Sequence, residues 1–228
     1  WKLLGTQPHE QGGLKLMPAS TLIGVHSDLD TALLFKKIKS FIQNSGIPPL
    51  VEGFNEGLAQ ANEQVGLERL LATLDGEMGF TVTLDDQKKI SLPLIPDQPI
   101  QIGHPGLILA AKVKNAQILE FILQILQAQD VPVQKTEAGG VPLHTIPVPA
   151  ELPPDVDVSP TLFISGGYLV ATSSQSLAKE VIAIQQGQNP GLAGTAEFKK
   201  FARDTDLKGN AISFVSSRYM TEYARLIK

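Results

Sequence analysis

Cysteine is absent from all 228 residues of this chain. Its absence excludes disulfide bonds, thiolate nucleophiles, zinc–thiolate centres and iron–sulfur clusters at the same time. A chain without thiols is compatible with the periplasm or the cell exterior, but many cytosolic proteins also contain little cysteine. The compartment therefore stays open on this observation alone.

Long basic runs and long apolar runs are missing as well. The 19 lysines and arginines are scattered and the net charge is -4, so we expect no nucleic acid among the partners. The longest lipophilic stretch, Ile118 to Leu126, is interrupted by Glu120 and Gln124. It is far shorter than the ~20 residues that a membrane-spanning helix needs, so the sequence predicts no transmembrane segment.

The composition that is present is that of a packed globular protein, with 43% apolar and 18% charged residues. We expect residues 1–17 to form an N-terminal extension and residues 18–228 to form a single domain. Within that domain we expect two similar halves, residues 18–104 and 105–228. Because the chain begins at Trp1 without an initiator methionine, we also expect it to be an excerpt of a longer precursor.

Four times along the chain, an apolar run of strand type is followed by Ser, Asp or Asn and then by an amphipathic helical pattern. The four units are Thr21 to Ile42, Leu107 to Leu126, Tyr168 to Ile184 and Ala211 to Ile227. Strand pairs are mixed with these units without strict alternation. This arrangement predicts an α+β fold, in which helices pack against one face of a mostly antiparallel sheet.

Turn and capping residues define the predicted boundaries of several elements. Ser27 is expected to begin the first helix as its N-cap, and Gly66 is expected to break a second helix from about Asn55 to Leu74. Alternating apolar residues predict a hairpin between residues 80–84 and 89–92. The glycine pairs predict turns; they are Gly12-Gly13, Gly139-Gly140 and Gly166-Gly167.

The helix around Ile118 to Leu126 is apolar on nearly every side, which is typical of a helix buried in the centre of a fold. We expect it to pack on the strand Leu107 to Val113 in the middle of the sheet. The proline-rich stretch Glu151 to Pro160 is instead expected to form an exposed loop.

The densest polar cluster runs from His26 to Asp30, where a predicted strand meets a helix. Catalytic groups are common at such positions, so a hydrolase that uses this cluster is one hypothesis. In the interpretation that we favour, Ser27 caps the helix and His26 points outward at the strand end. Asp28 and Asp30 then complement the helix dipole.

Other candidate groups are weaker. Asp75 and Glu77 could form a carboxylate pair that serves acid–base chemistry or binds a hard cation. The alternative is that Asp75 belongs to a turn and Glu77 begins a strand. No nucleophile elbow and no dinucleotide-binding glycine motif is present. The chain has four histidines far apart in sequence: His9, His26, His104 and His144. The sequence therefore identifies no catalytic residue, no cofactor-binding residue and no metal ligand, and it predicts no cofactor.

Two segments carry a resemblance to a known group of proteins. Residues 70–77 read LLATLDGE, and residues 166–174 read GGYLVATSS. In these two patterns, LLxxLxGE and GGYLVxxSS, the chain resembles a family of exported bacterial proteins that is known only as a domain of unknown function. The resemblance extends over Pro18 to Lys228. It implies export to the periplasm or the cell exterior, an α+β fold with repeated halves, and no known enzyme activity.

The leading hypothesis is a non-enzymatic exported scaffold or binding module of the bacterial cell envelope, with another envelope protein as its partner. The two alternatives are an exported hydrolase that uses the cluster from His26 to Asp30, and a carrier for an apolar ligand. A deep polar cleft that joins His26 to a remote carboxylate would favour the hydrolase. A closed apolar cavity beside Phe121 would favour the carrier.

Overall fold

The computed structural model describes residues 2–92, 100–148, 156–203 and 205–226. The strands are β1 (His9–Glu10), β2 (Thr21–Asp28), β3 (Leu74–Leu92), β4 (Ile100–Val113), β5 (Gln134–Ala138), β6 (Val141–Thr145), β7 (Thr161–Ser165), β8 (Tyr168–Thr172), β9 (Lys208–Gly209) and β10 (Ala211–Val215). The helices are α1 (Thr31–Gln43), α2 (Pro48–Val65), α3 (Leu67–Leu71), α4 (Gln117–Ala128), α5 (Gln175–Gln185), α6 (Ala196–Ala202) and α7 (Arg218–Leu226). Short 3-10 segments lie at Lys2–Leu4, Gly12–Leu16 and Gly191–Gly194.

Eight strands form one antiparallel sheet in the order β10-β2-β3-β4-β8-β7-β6-β5, and β1 pairs with β9 in a small second sheet. The prediction of an α+β fold with a mostly antiparallel sheet is confirmed, and β4 lies near the middle of the sheet as expected. Because side chains alternate along each strand, the sheet has two distinct faces. We call the face that carries Val170 and Phe163 the inner face, and the face that carries Phe80 and Leu109 the outer face.

The main core lies on the inner face, beneath α5. That helix begins where the Ser174 hydroxyl accepts the amide hydrogen of Leu177, as the sequence predicted for this unit. Its buried side chains and the segment before β2 meet the sheet in one cluster, whose largest fully buried members are Leu16, Phe163, Ile108, Leu143, Val170, Val181 and Ile182. A second cluster around Phe198 and Phe214 continues the core towards β10.

The prediction that the apolar helix of the second unit is the central buried helix is wrong. In α4 only Leu119 is buried, while Ile122 and Leu123 remain partly exposed. The helix lies over the outer face, where Ile122 meets Leu162 and Leu169 along one groove. The inner face is already filled by α5, so the apolar sides of α4 are left for the open side of the sheet.

The predicted hairpin between residues 80–84 and 89–92 is also wrong, because both segments belong to the single strand β3. Asp85 pairs with His104 and Lys89 pairs with Gly103, so three extra residues of β3 bulge out between the two pairs. The charged residues of this bulge face solvent, where Asp86 forms an ion pair with Arg218. With a bulge, β3 pairs with β4 both before and after residues 86–88, whereas a chain reversal there would end this pairing.

Two helix boundaries differ from their predictions. Ser27 does not cap the first helix, because β2 continues to Asp28 and the carboxylate of Asp30 accepts the amide hydrogen of Leu33 at 2.8 Å. The second helix begins at Pro48. Proline is favourable there because the amide hydrogen that it lacks would have no helical partner in the first turn. The predicted break at Gly66 is confirmed, with φ of 60° between α2 and α3.

The segment before Pro18, expected as an N-terminal extension, is part of the core. Leu16 and Met17 are fully buried, and β1 is fixed by its pairing with β9. The division of the domain into two similar halves stays a prediction. Much of the expected loop from Glu151 to Pro160 lies outside the described residues. Among the residues that the structure describes, no helix is both long and apolar enough to cross a bilayer.

Candidate functional site

Three polar side chains share the inner face at one end of β2 and β3. In the antiparallel register His26 lies opposite Gly79, and Asp28 lies opposite Glu77. Residues directly opposite each other point to the same face of a sheet. His26, Asp28 and Glu77 therefore face the segment Gly12–Leu16, whereas Ser27 points to the outer face.

Glu77 is a buried carboxylate, only 3% exposed, and both of its oxygens accept hydrogen bonds. The amide of Gly13 donates to Oε1 at 2.6 Å, and the amide of Gly12 donates to Oε2 at 3.3 Å. The hydroxyl of Tyr168, on β8, donates to Oε2 at 2.6 Å. Burial, and secondly this bond to Glu77, raises the pKa of Tyr168, so the hydroxyl keeps its proton.

The pair Gly12-Gly13 does more than make the turn that the sequence predicted. A Cβ at Gly12 would overlap the hydroxyl of Tyr168, and a Cβ at Gly13 would overlap the ring of His26. Because glycine has no side chain, the backbone approaches closely enough for both amides to reach Glu77.

His26 is fully buried between Gly13 and Gly79, so the prediction that it points outward at the strand end is wrong. Neither ring nitrogen meets a hydrogen-bond partner among the described residues. Burial lowers the pKa of His26 to about 4, with the nearby charge of Glu77 acting weakly in the opposite direction. The imidazole is therefore neutral at physiological pH.

Asp28 contacts side chains from two other segments of the chain, residues 9–11 and Asn210. Nε2 of His9 lies 3.0 Å from each carboxylate oxygen of Asp28, and Nδ2 of Asn210 donates to Oδ2 at 3.1 Å. The side-chain amide of Gln11 lies 3.4 Å from Oδ1 and donates to the carbonyl oxygen of Gly209 at 2.8 Å. Asp28 therefore holds β1 and the segment before β10 against β2, and it does not act on the dipole of α1.

The bond from the ring of His9 to the backbone oxygen of Glu10, at 2.9 Å, defines the protonation of that ring. Because a carbonyl oxygen only accepts, Nδ1 carries a hydrogen and Nε2 is the nitrogen that faces Asp28. The bond to Glu10 raises the pKa of His9, and the bond to Asp28 adds to the effect.

A cleft of about 580 Å³ opens beside these groups. Both charge signs line it, through carboxylates and lysines that come from three segments of the chain: Asp28, Asp30, Asp75, Glu77, Lys112 and Lys114. Asp75 and Glu77, which the sequence singled out as a carboxylate pair, both line this cleft. The cleft gives solvent a path to His9 and Asp28, while Glu77 lies at its buried end.

A second depression, of about 520 Å³, lies on the outer face. Its floor includes the small residues Ala111 and Ala171, and its walls include Phe80, Leu109 and Ile122. Ser27 is the only residue with a polar side chain among those that line it. We call this depression the apolar groove.

The cluster from His26 to Asp30 is thus divided among different environments. His26 is enclosed, Ser27 faces the apolar groove and Asp30 caps α1. His26 lies near the remote carboxylate of Glu77, but no hydrogen bond joins them. The arrangement that would have favoured a hydrolase is therefore only partly present.

Sequence reasoning missed His9, Gln11 and Tyr168 as members of the polar site. His9 and Gln11 lie 19 and 17 residues before Asp28, and Tyr168 lies 91 residues after Glu77, so no local spacing connects them. One usable signal existed, namely the polar residues directly before Gly12-Gly13, where a glycine pair permits close backbone approach.

Comparison with family models, with curated proteins and with solved structures finds no match for this chain.

Proposed function

We propose that this chain is a non-enzymatic binding module of the bacterial cell envelope, which holds another protein on the outer face of its sheet. The observation that carries this proposal is a row of exposed apolar side chains on neighbouring strands. Val215 on β10 is 56% exposed, Phe80 on β3 is 39% exposed, and Leu107 and Leu109 on β4 are 41% and 49% exposed. The cell-envelope location is supported by the family resemblance of residues 70–77 and 166–174.

The width of this face favours a protein over a single lipid chain. The exposed side chains lie on β10, β3 and β4, and β2, which lies between β10 and β3, carries the half-buried Ile23 and Val25 on the same face. At a strand spacing of ~4.8 Å, these four strands cover about 14 Å. Contiguous apolar surface of this kind on a soluble domain is typical of a protein-binding site.

The lining of the apolar groove specifies the chemistry of the partner. None of its lining residues is charged, and Ile122 of α4 and Leu29 stand at its sides. A depression of about 520 Å³ lies in the size range of ligand-binding pockets. We therefore expect the partner to insert large uncharged side chains, such as leucine or phenylalanine, between α4 and the segment before α1.

The polar site supports the non-enzymatic part of the proposal. The fully buried ring of His26 is closed to a substrate. The hydroxyl of Ser27, its sequence neighbour, lies on the opposite face of the sheet, so the two cannot act on one bond. The groups around Glu77 join the segment 12–16 to β3 and β8 within the fold.

Photo-crosslinking in the native host tests the proposal. A photoreactive residue replaces Leu109 in the full-length protein, and a matched control carries it at Phe41, which is 77% exposed on α1. We expect position 109 to give one crosslinked protein product that position 41 does not give. Adding Phe80→Asp, which places a charge beside position 109, should remove that product.

Three outcomes would overturn the proposal. Equal products from positions 109 and 41 would show ordinary surface reactivity. A product of twice the mass of the chain would assign the face to a homodimer. A lipid adduct in place of a protein product would instead support the carrier of an apolar ligand.

A further inference from the structure

We propose that His9, Asp28 and Glu77 form a binding site for a divalent transition-metal ion at the inner end of the cleft. One ligand atom from each of these residues can be chosen so that all three lie within 4.8 Å of one another. Ligands at ~2.0–2.2 Å from a single ion lie at most about 4.4 Å apart, so a bound ion would draw the three side chains slightly closer together. The proposal is independent of the function assigned to the outer face.

The contact between His9 and Asp28 requires a positive centre. Nδ1 of His9 donates to the oxygen of Glu10, so in the neutral ring Nε2 carries a lone pair. That nitrogen lies 3.0 Å from both oxygens of Asp28. A lone pair facing a carboxylate is repulsive, so either a proton on Nε2 or a metal ion must lie between them.

The surroundings of the three groups match those of metal ligands. Metal-binding histidines commonly donate their second ring hydrogen to a backbone oxygen, and metal-binding carboxylates are themselves hydrogen-bonded. His9 makes this bond to Glu10, and Asp28 accepts from Asn210. Glu77 accepts from Tyr168 and from two backbone amides, which leaves acceptor capacity on a carboxylate with about four lone-pair positions.

Gln11 provides an independent observation at the same place. Its amide nitrogen lies 3.4 Å from both Nε2 of His9 and Oδ1 of Asp28, and the residue is only 6% exposed. Its Oε1 is buried and meets no donor among the described residues. A buried oxygen without a donor is costly, and water bound to a metal ion at this site would supply the missing donor.

The ligand set indicates the class of ion. One imidazole nitrogen and two carboxylates suit Zn²⁺ or Mn²⁺, whereas Ca²⁺ prefers six to eight oxygen ligands. Three protein ligands leave at least one coordination position open, and the cleft lies beside it. The site is therefore expected to retain a solvent-accessible ligand.

Calorimetric titration of the metal-free full chain with Zn²⁺, Mn²⁺ and Ca²⁺ tests the site, together with the visible absorption of the Co²⁺ form. We expect Zn²⁺ or Mn²⁺ to bind at one equivalent and Ca²⁺ to bind at least tenfold more weakly. His9→Ala should weaken binding at least about tenfold and change the Co²⁺ spectrum. Asn210→Ala, which removes only a donor to Asp28, should weaken it by about tenfold.

Two control variants remove a histidine and a carboxylate outside the ligand set. The first is His144→Ala, at a residue of β6. The second is Asp75→Asn, at a residue that lines the cleft beside the site but is not one of the three ligands. Both should bind as the wild type does. Because His9 is partly exposed, its replacement should leave the fold intact, which circular dichroism checks; His9→Gln serves as a second variant.

Unchanged affinity in His9→Ala and His9→Gln would overturn the proposal, as would equal losses in His144→Ala. The wild type could also fail to bind Zn²⁺ and Mn²⁺ at about 100 µM, a concentration that detects dissociation constants up to about that value. That result would show that a proton alone joins His9 to Asp28.

Discussion

The hydroxyl of Tyr168 donates a 2.6 Å hydrogen bond to the carboxylate of Glu77 and so connects β8 to β3 across the intervening strand β4. Both residues are nearly inaccessible to solvent, at 5% and 3% exposure. A buried hydrogen bond to a charged group contributes more to stability than one between neutral groups. This bond therefore stabilises the arrangement of β3 and β8 on the inner face.

Replacing Tyr168 by phenylalanine tests the contribution of this bond. The ring and its packing remain, while Glu77 loses one of its three donors. We expect Tyr168→Phe to lower the free energy of unfolding by about 1.5–3 kcal/mol, measured by urea denaturation. A loss below about 0.5 kcal/mol, the size of ordinary surface effects, would contradict this role.

The closeness of Gly13 to His26 gives a second prediction. Gly13→Ala should destabilise the fold by about 1–3 kcal/mol, because the added Cβ overlaps the imidazole. In the His26→Ala background the ring is gone, so the same change should cost much less, and a double-mutant cycle measures the difference. Gly53→Ala in α2 is the control, since a Cβ there meets nothing within 4 Å. Additive losses in the cycle would rule out the direct contact.

Local patterns in the sequence predicted the second half of the sheet well. Gly166-Gly167 reverses the chain between β7 and β8 with positive φ at both residues, and Ser174 caps α5 through the amide of Leu177. These features depend on residues only a few positions apart. Their physical causes, glycine conformation and helix capping, act within the same short segments.

The polar site could not be predicted in the same way. Asp28 and Glu77 come together only through the register between β2 and β3, which the sequence alone does not specify. Ser27 has the composition of a helix cap, but β2 continues past it because its neighbours pair with both β3 and β10. Long-range strand pairing thus outweighed a local capping preference.

The buried imidazole of His26 predicts how stability changes with pH. Its pKa falls from 6.5 to about 4 on folding, so the unfolded chain binds more protons between these values. The contribution of His26 to the free energy of unfolding is fully present above about pH 6.5. It decreases by up to about 3 kcal/mol as the pH falls towards 4. The raised pKa of His9 changes stability with pH in the opposite direction. His9 is present in both the wild type and a His26→Phe variant, so comparing these two proteins isolates the effect of His26.

Urea denaturation of the wild type and of His26→Phe between pH 4 and pH 7, with a chelator present, measures this contribution. The phenylalanine ring keeps much of the volume but cannot titrate. We expect the wild type to lose stability relative to the variant as the pH falls, with Glu77 unchanged in both. Parallel pH profiles would show that His26 is protonated equally in the folded and unfolded states.

The different burial of α4 and α5 gives the last prediction. Ile182 on α5 is 2% exposed within the main core, whereas Leu123 on α4 is only partly buried on the outer face. Ile182→Ala removes the same kind of apolar atoms as Leu123→Ala, but from a closed core that cannot collapse around the cavity. We expect losses of about 2–5 kcal/mol for Ile182→Ala and below about 1.5 kcal/mol for Leu123→Ala, measured by thermal and urea unfolding. Equal losses would mean that α4 is covered in solution, and if they become equal only when a partner is bound, the outer face is where that partner lies.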